Sequence, residues 1–296
     1  MSTLLNQSMK HVAIGHNTMT CFFHKDRTVL VNVNQTPLYA YSAGKAFNPS
    51  LPTVVFIHGV LNDHSVWILQ SRYFANHGYN VLAIDLPGHC KSAGKVPASV
   101  EEAAQTVLAL LDALEISQAT LIGHSWGALI ALETSASAPQ RVSHLALVGV
   151  AFPMKVSPAL LDAAVNAPMK GIDMVNTFSQ STLAPPPSTL GPGTWLYGGS
   201  RALMRRVLAS NSEENTFSIG FNACNNYANG ERAVGAVTCP ILFLMGANDQ
   251  MTPPKAAQSL VKLAPHATTV TVQAGHQLMS EAPDAVLDAL LQFIKK

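Results

Sequence analysis

Six short apolar runs, none of which contains a charged residue, constrain the fold of this chain more than any other feature of its sequence. Each run is rich in Val, Ile and Leu and is followed by turn residues. Strands of this kind are typical of a parallel sheet whose two faces are both covered by helices. The runs are Val54–Ile57, Val81–Ile84, Thr120–Ile122, Leu145–Val150, Ile241–Met245 and Thr268–Val272.

Helical patterns alternate with these runs. Val100–Leu114 carries its apolar residues on one face, and Glu101 and Glu102 lie in its first turn, where the helix dipole favours acidic residues. The alternation predicts an α/β domain with a mostly parallel, twisted sheet flanked by helices. Thr28–Tyr41 is typical of an antiparallel hairpin at the sheet edge. The remaining predicted helices are Trp126–Ala136, Ala256–Leu263 and Pro283–Ile294.

The alternation stops over residues 153–235, which are too many for a plain crossover loop. We predict that this segment is a mainly helical cap inserted before the last two strands, and that residues 1–152 and 236–296 form the core. An ordinary crossover region with extra surface helices is the alternative. The segment has a Pro- and Gly-rich middle and several aromatic residues, of which Trp195 and Tyr197, together with Phe152 just before it, are candidates to line a substrate pocket.

Charge is scarce and nearly balanced. Charged residues make up 12% of the chain, about half the usual share, and 18 Lys and Arg stand against 17 Asp and Glu. This balance argues against a nucleic-acid-binding protein and against a disordered chain. The longest uncharged stretch, residues 174–200, is interrupted by prolines and glycines, so no membrane span is predicted.

The cysteines and the N-terminal residues bear on the compartment. The first twenty residues lack a basic start followed by an apolar run, which predicts no secretory signal. The four cysteines, Cys21, Cys90, Cys224 and Cys239, are too far apart in sequence for a metal knuckle or a redox pair. We therefore expect a cytoplasmic protein with reduced thiols and with neither a metal nor an organic cofactor.

The segment Gly-His-Ser-Trp-Gly at 123–127 follows one predicted strand and precedes a predicted helix. In this strand–turn–helix context, G-x-S-x-G holds the Ser hydroxyl clear of the backbone on a strained turn. The amide that follows, that of Trp126, points to where an oxyanion would form. Ser125 is therefore the predicted nucleophile, and it requires a base that is itself oriented by an acid.

Asp249 and His276 are the predicted acid and base. Each lies just past a predicted strand, and the carboxyl ends of parallel strands share one edge of the sheet, where Ser125 also lies. The second oxyanion donor is expected from the loop that follows Val54–Ile57, at the amide of Val60.

Several histidines and one glutamine surround these positions. His124 and Gln277, which neighbour the nucleophile and the base, are further candidates for the pocket, although packing is the favoured role of His124. His58, which precedes the oxyanion loop, is expected to be structural. His64 and His89 are expected to hydrogen-bond loops.

The chain resembles the α/β-hydrolase superfamily, and within it the esterase-like branch that carries an inserted lid. The matching segments are FIHGVLNDHSVW, AIDLPGHCKS, IGHSWGA, LMGANDQMTP and AGHQLMSEAP, in the family's order and spacing. One departure is Cys90, where the family usually has Gly. The resemblance implies a serine hydrolase that uses Ser125, His276 and Asp249 and needs no cofactor.

These features favour a serine hydrolase that cleaves carboxylic esters of small, largely apolar molecules. Three alternatives stay open. Trp126 after the nucleophile also resembles proline iminopeptidases, in which case Glu213, Glu214 or Glu231 of the cap would bind a substrate amine. Cleavage of a C–C bond or of a lactone would use the same three residues. A ligand receptor that retains the triad but turns over little is the non-enzymatic alternative.

Overall fold

Nine strands form a single sheet in a computed structural model, which describes residues 22–24, 28–183 and 195–295. Five of the six uncharged apolar runs lie wholly within these strands, and the sixth, Leu145–Val150, extends two residues beyond the end of its strand. The strands are β1 (Phe22–His24), β2 (Thr28–Val33), β3 (Thr36–Tyr41), β4 (Thr53–Ile57), β5 (Asn80–Ile84), β6 (Ala119–His124), β7 (Val142–Val148), β8 (Ile241–Gly246) and β9 (Thr268–Val272).

The sheet has the order β1-β2-β3-β5-β4-β6-β7-β8-β9. The pairs from β5 through β9 are parallel, whereas β1, β2 and β3 are antiparallel to their neighbours. The predicted α/β class and the predicted hairpin, which is β2 and β3, are both confirmed. The central position of β6 places the residues that follow it between the ends of β4 and β7.

Helices cover both faces of the sheet. Val54 and Phe56 of β4 belong to one hydrophobic cluster, and Val55 and Ile57 belong to the other, as the alternation of side chains along a strand requires. The helix α1 was not predicted. The helices are α1 (Ile68–Asn76), α2 (Val100–Ala113), α3 (Trp126–Ser137), α4 (Pro158–Asn166), α5 (Pro168–Ser179), α6 (Leu196–Ala209), α7 (Thr216–Asn226), α8 (Gly230–Ala236), α9 (Gln258–Leu263), α10 (Leu278–Glu281) and α11 (Pro283–Ile294).

The last strand departs from the expectation of burial on both faces. In β9, every residue except Val272 is partly or fully exposed. The reason is topological, because among the described strands β9 pairs with β8 alone and lies at the edge of the sheet. An uncharged run with three threonines is therefore compatible with an edge strand as well as with a buried one.

In the described residues between β7 and β8, the chain forms the five helices α4 to α8. The prediction of a mainly helical insertion before the last two strands is confirmed. The Pro- and Gly-rich middle of this insertion, residues 184–194, and the first 21 residues of the chain lie outside the described residues. Among the helices of the described ranges, none is long and apolar enough to cross a membrane.

The turn after α6 is bound to the core at three points. Ser210 Oγ accepts a hydrogen bond from Cys90 N at 3.0 Å, and Asn211 Nδ2 donates to Gly88 O at 3.1 Å. Glu214 Oε2 accepts from Val96 N at 2.6 Å. Cys90, which stands where Gly was expected, adopts φ +46°, so this turn has the left-handed backbone that a Gly would supply.

Candidate active site

Ser125 lies on a strained turn between β6 and α3. Its backbone has φ +55° and ψ −116°, a conformation that side-chain-bearing residues seldom adopt. The glycines on either side permit the turn. A Cβ on Gly123 would lie 2.0 Å from Gly127 O, and one on Gly127 would lie 2.4 Å from Ile57 O. The G-x-S-x-G spacing is therefore required by the close approach of β4, β6 and α3.

Trp126 is the first residue of α3, so no acceptor within the helix is available to its N–H. The N–H of the following residues is used differently, since Ala128 N and Leu129 N both donate to Ser125 O. The Trp126 side chain is fully buried. The amide predicted as one oxyanion donor is thus at the positive end of a helix, where it favours a negative charge.

The loop after β4 lies directly against the nucleophile. A Cβ on Gly59 would lie 3.2 Å from Ser125 Cβ, so Val60 follows a residue in close approach to Ser125. In the described part of the chain, Val60 N donates no backbone hydrogen bond. The loop is held by His58, whose Nε2 accepts from Leu86 N at 3.1 Å and whose Nδ1 lies 2.8 Å from Gly59 O.

Asp249 and His276 are joined by a hydrogen bond in which His276 Nδ1 donates to Asp249 Oδ2 at 2.8 Å. Both residues are buried, with exposed fractions of 3% and 5%. The other carboxylate oxygen, Asp249 Oδ1, accepts from Met251 N and Thr252 N, each at 2.8 Å. The bond to Nδ1 leaves Nε2 as the ring atom that can take up a proton.

The strands bring this pair to Ser125. Ser125 N donates to Val148 O at 2.9 Å, and a Cβ on the next residue, Gly149, would lie 3.3 Å from His276 Nδ1. The three predicted residues therefore share the edge formed by the ends of β6, β7 and β8. In the described residues, no hydrogen bond links Ser125 Oγ to the His276 ring.

Thr252 is a site residue that the sequence analysis missed. Its hydroxyl lies 2.8 Å from Asp249 Oδ2, 3.0 Å from His276 Nδ1 and 2.9 Å from Gly149 O. It is buried and ties the acid, the base and the end of β7 together. Thr252 comes three residues after Asp249, and Asp and Thr side chains at such a spacing often hydrogen-bond within one turn. This spacing is the signal in the sequence that could have indicated Thr252.

Burial and hydrogen bonding oppose each other at Asp249. Burial by itself raises the pKa of this carboxyl, but the His276 ring and the hydrogen bonds from His276 and Thr252 lower it to about 2. Asp249 is therefore ionised at neutral pH and favours the imidazole tautomer with its proton on Nδ1.

His124 is buried against His276, the predicted base. It is fully buried, its Nε2 lies 2.8 Å from His276 O, and the two rings are 4.7 Å apart. Because the His276 carbonyl can only accept, Nε2 of His124 carries the proton. Burial lowers the pKa of His124 to about 3, so the ring is neutral. Its hydrogen bond to the His276 carbonyl stabilises the His276 loop.

The other proposed pocket residues are dispersed. Phe152 packs on Tyr227 and on Gly230 at the start of α8. Trp195 is 42% exposed and stacks on Tyr197 at 5.5 Å. Gln277 is buried beside the base. The contacts in the structure place only His124 and Gln277 next to the predicted triad.

The cap meets the base directly. Ser179 O, at the end of α5, accepts from His276 N at 2.7 Å. Glu281 Oε1 accepts from Gly275 N at 3.2 Å, and its Oε2 accepts from the backbone and hydroxyl of Ser181. Glu281 thus connects the His276 loop to the cap.

Asp63, His64 and Asp85 each place one ligand atom within 4.8 Å of the others, a spacing that suits a metal ion. Their oxygens already have partners, since Asp63 Oδ2 lies 2.6 Å from the Arg206 guanidinium and Asp85 Oδ1 lies 2.7 Å from His64 Nδ1. We assign no metal here. The cluster is better described as an ion-pair network that joins α6 of the cap to the core.

A family model described as the alpha/beta hydrolase fold matches residues 52–283, and the chain therefore belongs to this family. It is 26% identical over 255 residues to the sn-1-specific diacylglycerol lipase ABHD11 of Mus musculus, with 83% of this chain and 81% of that protein covered.

Two further similarities broaden this comparison. The chain is 29% identical over 251 residues to the dihydrolipoyllysine-residue acetyltransferase component of the acetoin cleaving system of Pseudomonas putida. The match covers 82% of this chain but only 63% of that longer protein. The enol-lactonase of Burkholderia xenovorans LB400 has the same fold, with a TM-score of 0.77 at 22% identity, and 90% of this chain and all of that one are covered.

Because three histidines are buried, we expect the free energy of unfolding to decrease markedly in acid. Burial lowers the pKa of His58, His89 and His124, to about 3 in the last two, whereas an unfolded chain binds these protons at about pH 6.5. The unfolded state therefore binds more protons below about pH 6.5, and stability decreases as the pH falls from there toward 3. Each histidine contributes up to about 1.4 kcal/mol per pH unit.

Urea unfolding at pH 7, 6 and 5 measures this effect. We expect the free energy of unfolding to fall over this range, and His89→Gln to reduce the slope. His266→Gln, at an exposed position, is the matched control and should leave the slope unchanged. A free energy of unfolding that is equal at pH 7 and pH 5 would contradict the prediction.

Proposed function

We propose that the protein is a serine hydrolase that cleaves carboxylic esters through an acyl-enzyme intermediate. The observation that carries the proposal is the strained backbone of Ser125 beside the buried Asp249–His276 pair. A Ser held on such a turn next to an oriented imidazole is the arrangement that nucleophilic acyl transfer requires. The lipase relative supports a hydrolase of this type.

In the first step, Ser125 Oγ attacks the ester carbonyl carbon while His276 Nε2 takes the hydroxyl proton. The carbonyl π bond breaks, and its electron pair becomes an oxyanion that accepts hydrogen bonds from the amides of Val60 and Trp126. Asp249, which stays ionised, stabilises the resulting imidazolium through Nδ1. No proton needs to move to Asp249.

The oxyanion then collapses and expels the alcohol oxygen, which takes the proton from His276 Nε2. The acyl group remains on Ser125 as an ester. Water repeats the sequence, with His276 first accepting its proton and then returning a proton to Ser125 Oγ. The carboxylic acid is released and the enzyme is restored.

The contacts of the cap glutamates argue against the alternative of an amine-binding iminopeptidase. Glu214, one of its candidate residues, accepts a hydrogen bond from Val96 N and holds the cap to the core. Glu213 and Glu231 are exposed. We therefore place ester cleavage ahead of amide cleavage.

Labelling with a fluorophosphonate, followed by mass spectrometry of the peptides, tests the proposal. We expect the label on Ser125, and turnover of p-nitrophenyl butyrate to exceed that of the matched p-nitroanilide by at least about tenfold. A label at another residue, or faster cleavage of the anilide, would overturn the assignment. Multiple turnovers per protein molecule distinguish the enzyme from a receptor that is only acylated.

A further inference from the structure

Within the described part of the chain, four polar side chains of the cap are buried and have no hydrogen-bond partner. Both amide atoms of Asn176 and both of Gln180 are unpaired, as are Ser179 Oγ and Thr216 Oγ1. Their exposed fractions are 0% for Asn176, Ser179 and Thr216 and 3% for Gln180. Native proteins pair the large majority of buried polar atoms, so this concentration requires an explanation.

Three of these residues share one side of α5 and its end. Asn176, Ser179 and Gln180 are spaced by three and four residues, which puts them on neighbouring turns of the same helix face. The opposite face of α5 carries the exposed Lys170 and Phe178. The polar side chains therefore point inward, away from solvent.

This face ends at the catalytic base, because Ser179 O accepts the hydrogen bond from His276 N. Asn176 lies one turn earlier on the helix. The unpaired amides are thus carried by the part of the cap that contacts the predicted triad, and not by a remote region of the molecule.

The fourth residue belongs to another helix of the cap. Thr216 begins α7, and Gly220, one turn later on the same face, would place a Cβ 3.1 Å from Val60 Cγ2 and 3.5 Å from the Trp126 ring. These are the two residues of the predicted oxyanion hole. Helix α7 therefore packs against the predicted oxyanion hole, and the unpaired Thr216 hydroxyl belongs to its first turn.

These unpaired groups destabilise the free protein, because a buried amide without a partner has lost its hydrogen bonds to water and gained none in return. An alkyl chain bound here would leave them unpaired, whereas a ligand that carries both a donor and an acceptor would satisfy them. Two side-chain amides match another amide best, because each side offers an N–H and a carbonyl. No free charged side chain belongs to the group of four, which favours an uncharged ligand.

We propose that Asn176, Ser179, Gln180 and Thr216 form a polar subsite that binds an uncharged amide group on the substrate. This inference rests on the proposed ester hydrolysis, and it narrows the substrates from largely apolar esters to esters that carry an amide a few atoms from the scissile bond. The group binds the substrate and takes no part in bond cleavage.

Matched esters test the subsite. On the acyl side, p-nitrophenyl 3-acetamidopropanoate offers a donor and an acceptor, the 5-oxohexanoate offers an acceptor alone, and the hexanoate offers neither. On the alcohol side, 2-acetamidoethyl butyrate is compared with pentyl butyrate. On at least one side, we expect kcat/KM to favour the amide over the alkyl ester by about tenfold to a hundredfold. Equal rates on both sides would overturn the inference.

The variants Asn176→Leu and Gln180→Met should remove most of this preference by lowering kcat/KM for the amide esters. Asn222→Leu, at an exposed position on α7, is the matched control and should keep the preference. Because each variant removes an unpaired buried amide, its Tm should not fall. A lower Tm with an equal loss on all esters would show a purely structural role and overturn the subsite.

Binding separates this inference from the proposed function. Ethyl 3-acetamidopropanoate and ethyl hexanoate are titrated into Ser125→Ala protein by calorimetry, where no turnover is needed. Tighter binding of the amide, lost in the Asn176→Leu background, supports the subsite even if wild type cleaves no ester. Equal binding of the two esters overturns the subsite even if wild type cleaves both.

Discussion

Replacing Ser125 with Ala is expected to lower kcat for ester hydrolysis by about four to six orders of magnitude. The loss follows from chemistry, because an Ala side chain has no atom that can form the acyl bond. Binding should survive, since the amides of Val60 and Trp126 belong to the backbone and stay in place. KM should therefore change far less than kcat, and steady-state kinetics with p-nitrophenyl butyrate measure both.

The matched control for this substitution is Ser137→Ala, which changes an exposed Ser at the end of the same helix, α3. It should leave kcat unchanged. Ala at position 125 must adopt the same positive φ that Ser125 already has, so the substitution adds little strain and does not prevent folding. Activity of the Ser125→Ala protein within tenfold of wild type would remove Ser125 from the mechanism.

The sheet could be predicted from the sequence because most of its strands are uncharged runs rich in Val, Ile and Leu. An uncharged apolar run such as Val54–Ile57 predicts a strand that is buried on both of its faces. Its alternate residues do belong to two separate hydrophobic clusters, one on each face of the sheet. The same reasoning was wrong for β9, where the edge position, a property of the whole sheet, decides exposure. Helix α1 was missed because its polar and apolar residues do not follow a clear helical period.

The site could be predicted where it depends on strand ends and a short motif. Ser125, Asp249 and His276 each follow a strand, and parallel topology brings such positions to one edge. Thr252 and Ser179 could not be found in this way. Their roles come from contacts made after folding, and the cap that carries Ser179 has no motif that fixes its geometry. The contacts of the aromatic residues chosen for the pocket, such as Trp195, likewise depend on how the cap folds, and their place in the pocket stays a prediction.

Asp249→Asn is expected to reduce kcat by about four orders of magnitude although it changes little in size. In wild type, Oδ1 accepts from Met251 N and Thr252 N, and Oδ2 accepts from His276 Nδ1. An Asn side chain can keep the two backbone bonds only through its oxygen, which turns its NH₂ group toward His276. Nδ1 must then accept, so the proton moves to Nε2, and the base can no longer receive the proton of Ser125.

The double variant makes this prediction sharper. If Asp249 acts only through His276 on Ser125, Asp249→Asn should add almost nothing to Ser125→Ala, because the first loss already removes the step that the second impairs. Asp288→Asn, at an exposed position on α11, is the control and should retain full activity. A double variant whose loss is the product of the two single losses would mean that Asp249 contributes independently, for example by holding the fold of the loop through Thr252, and would argue against its place in the triad.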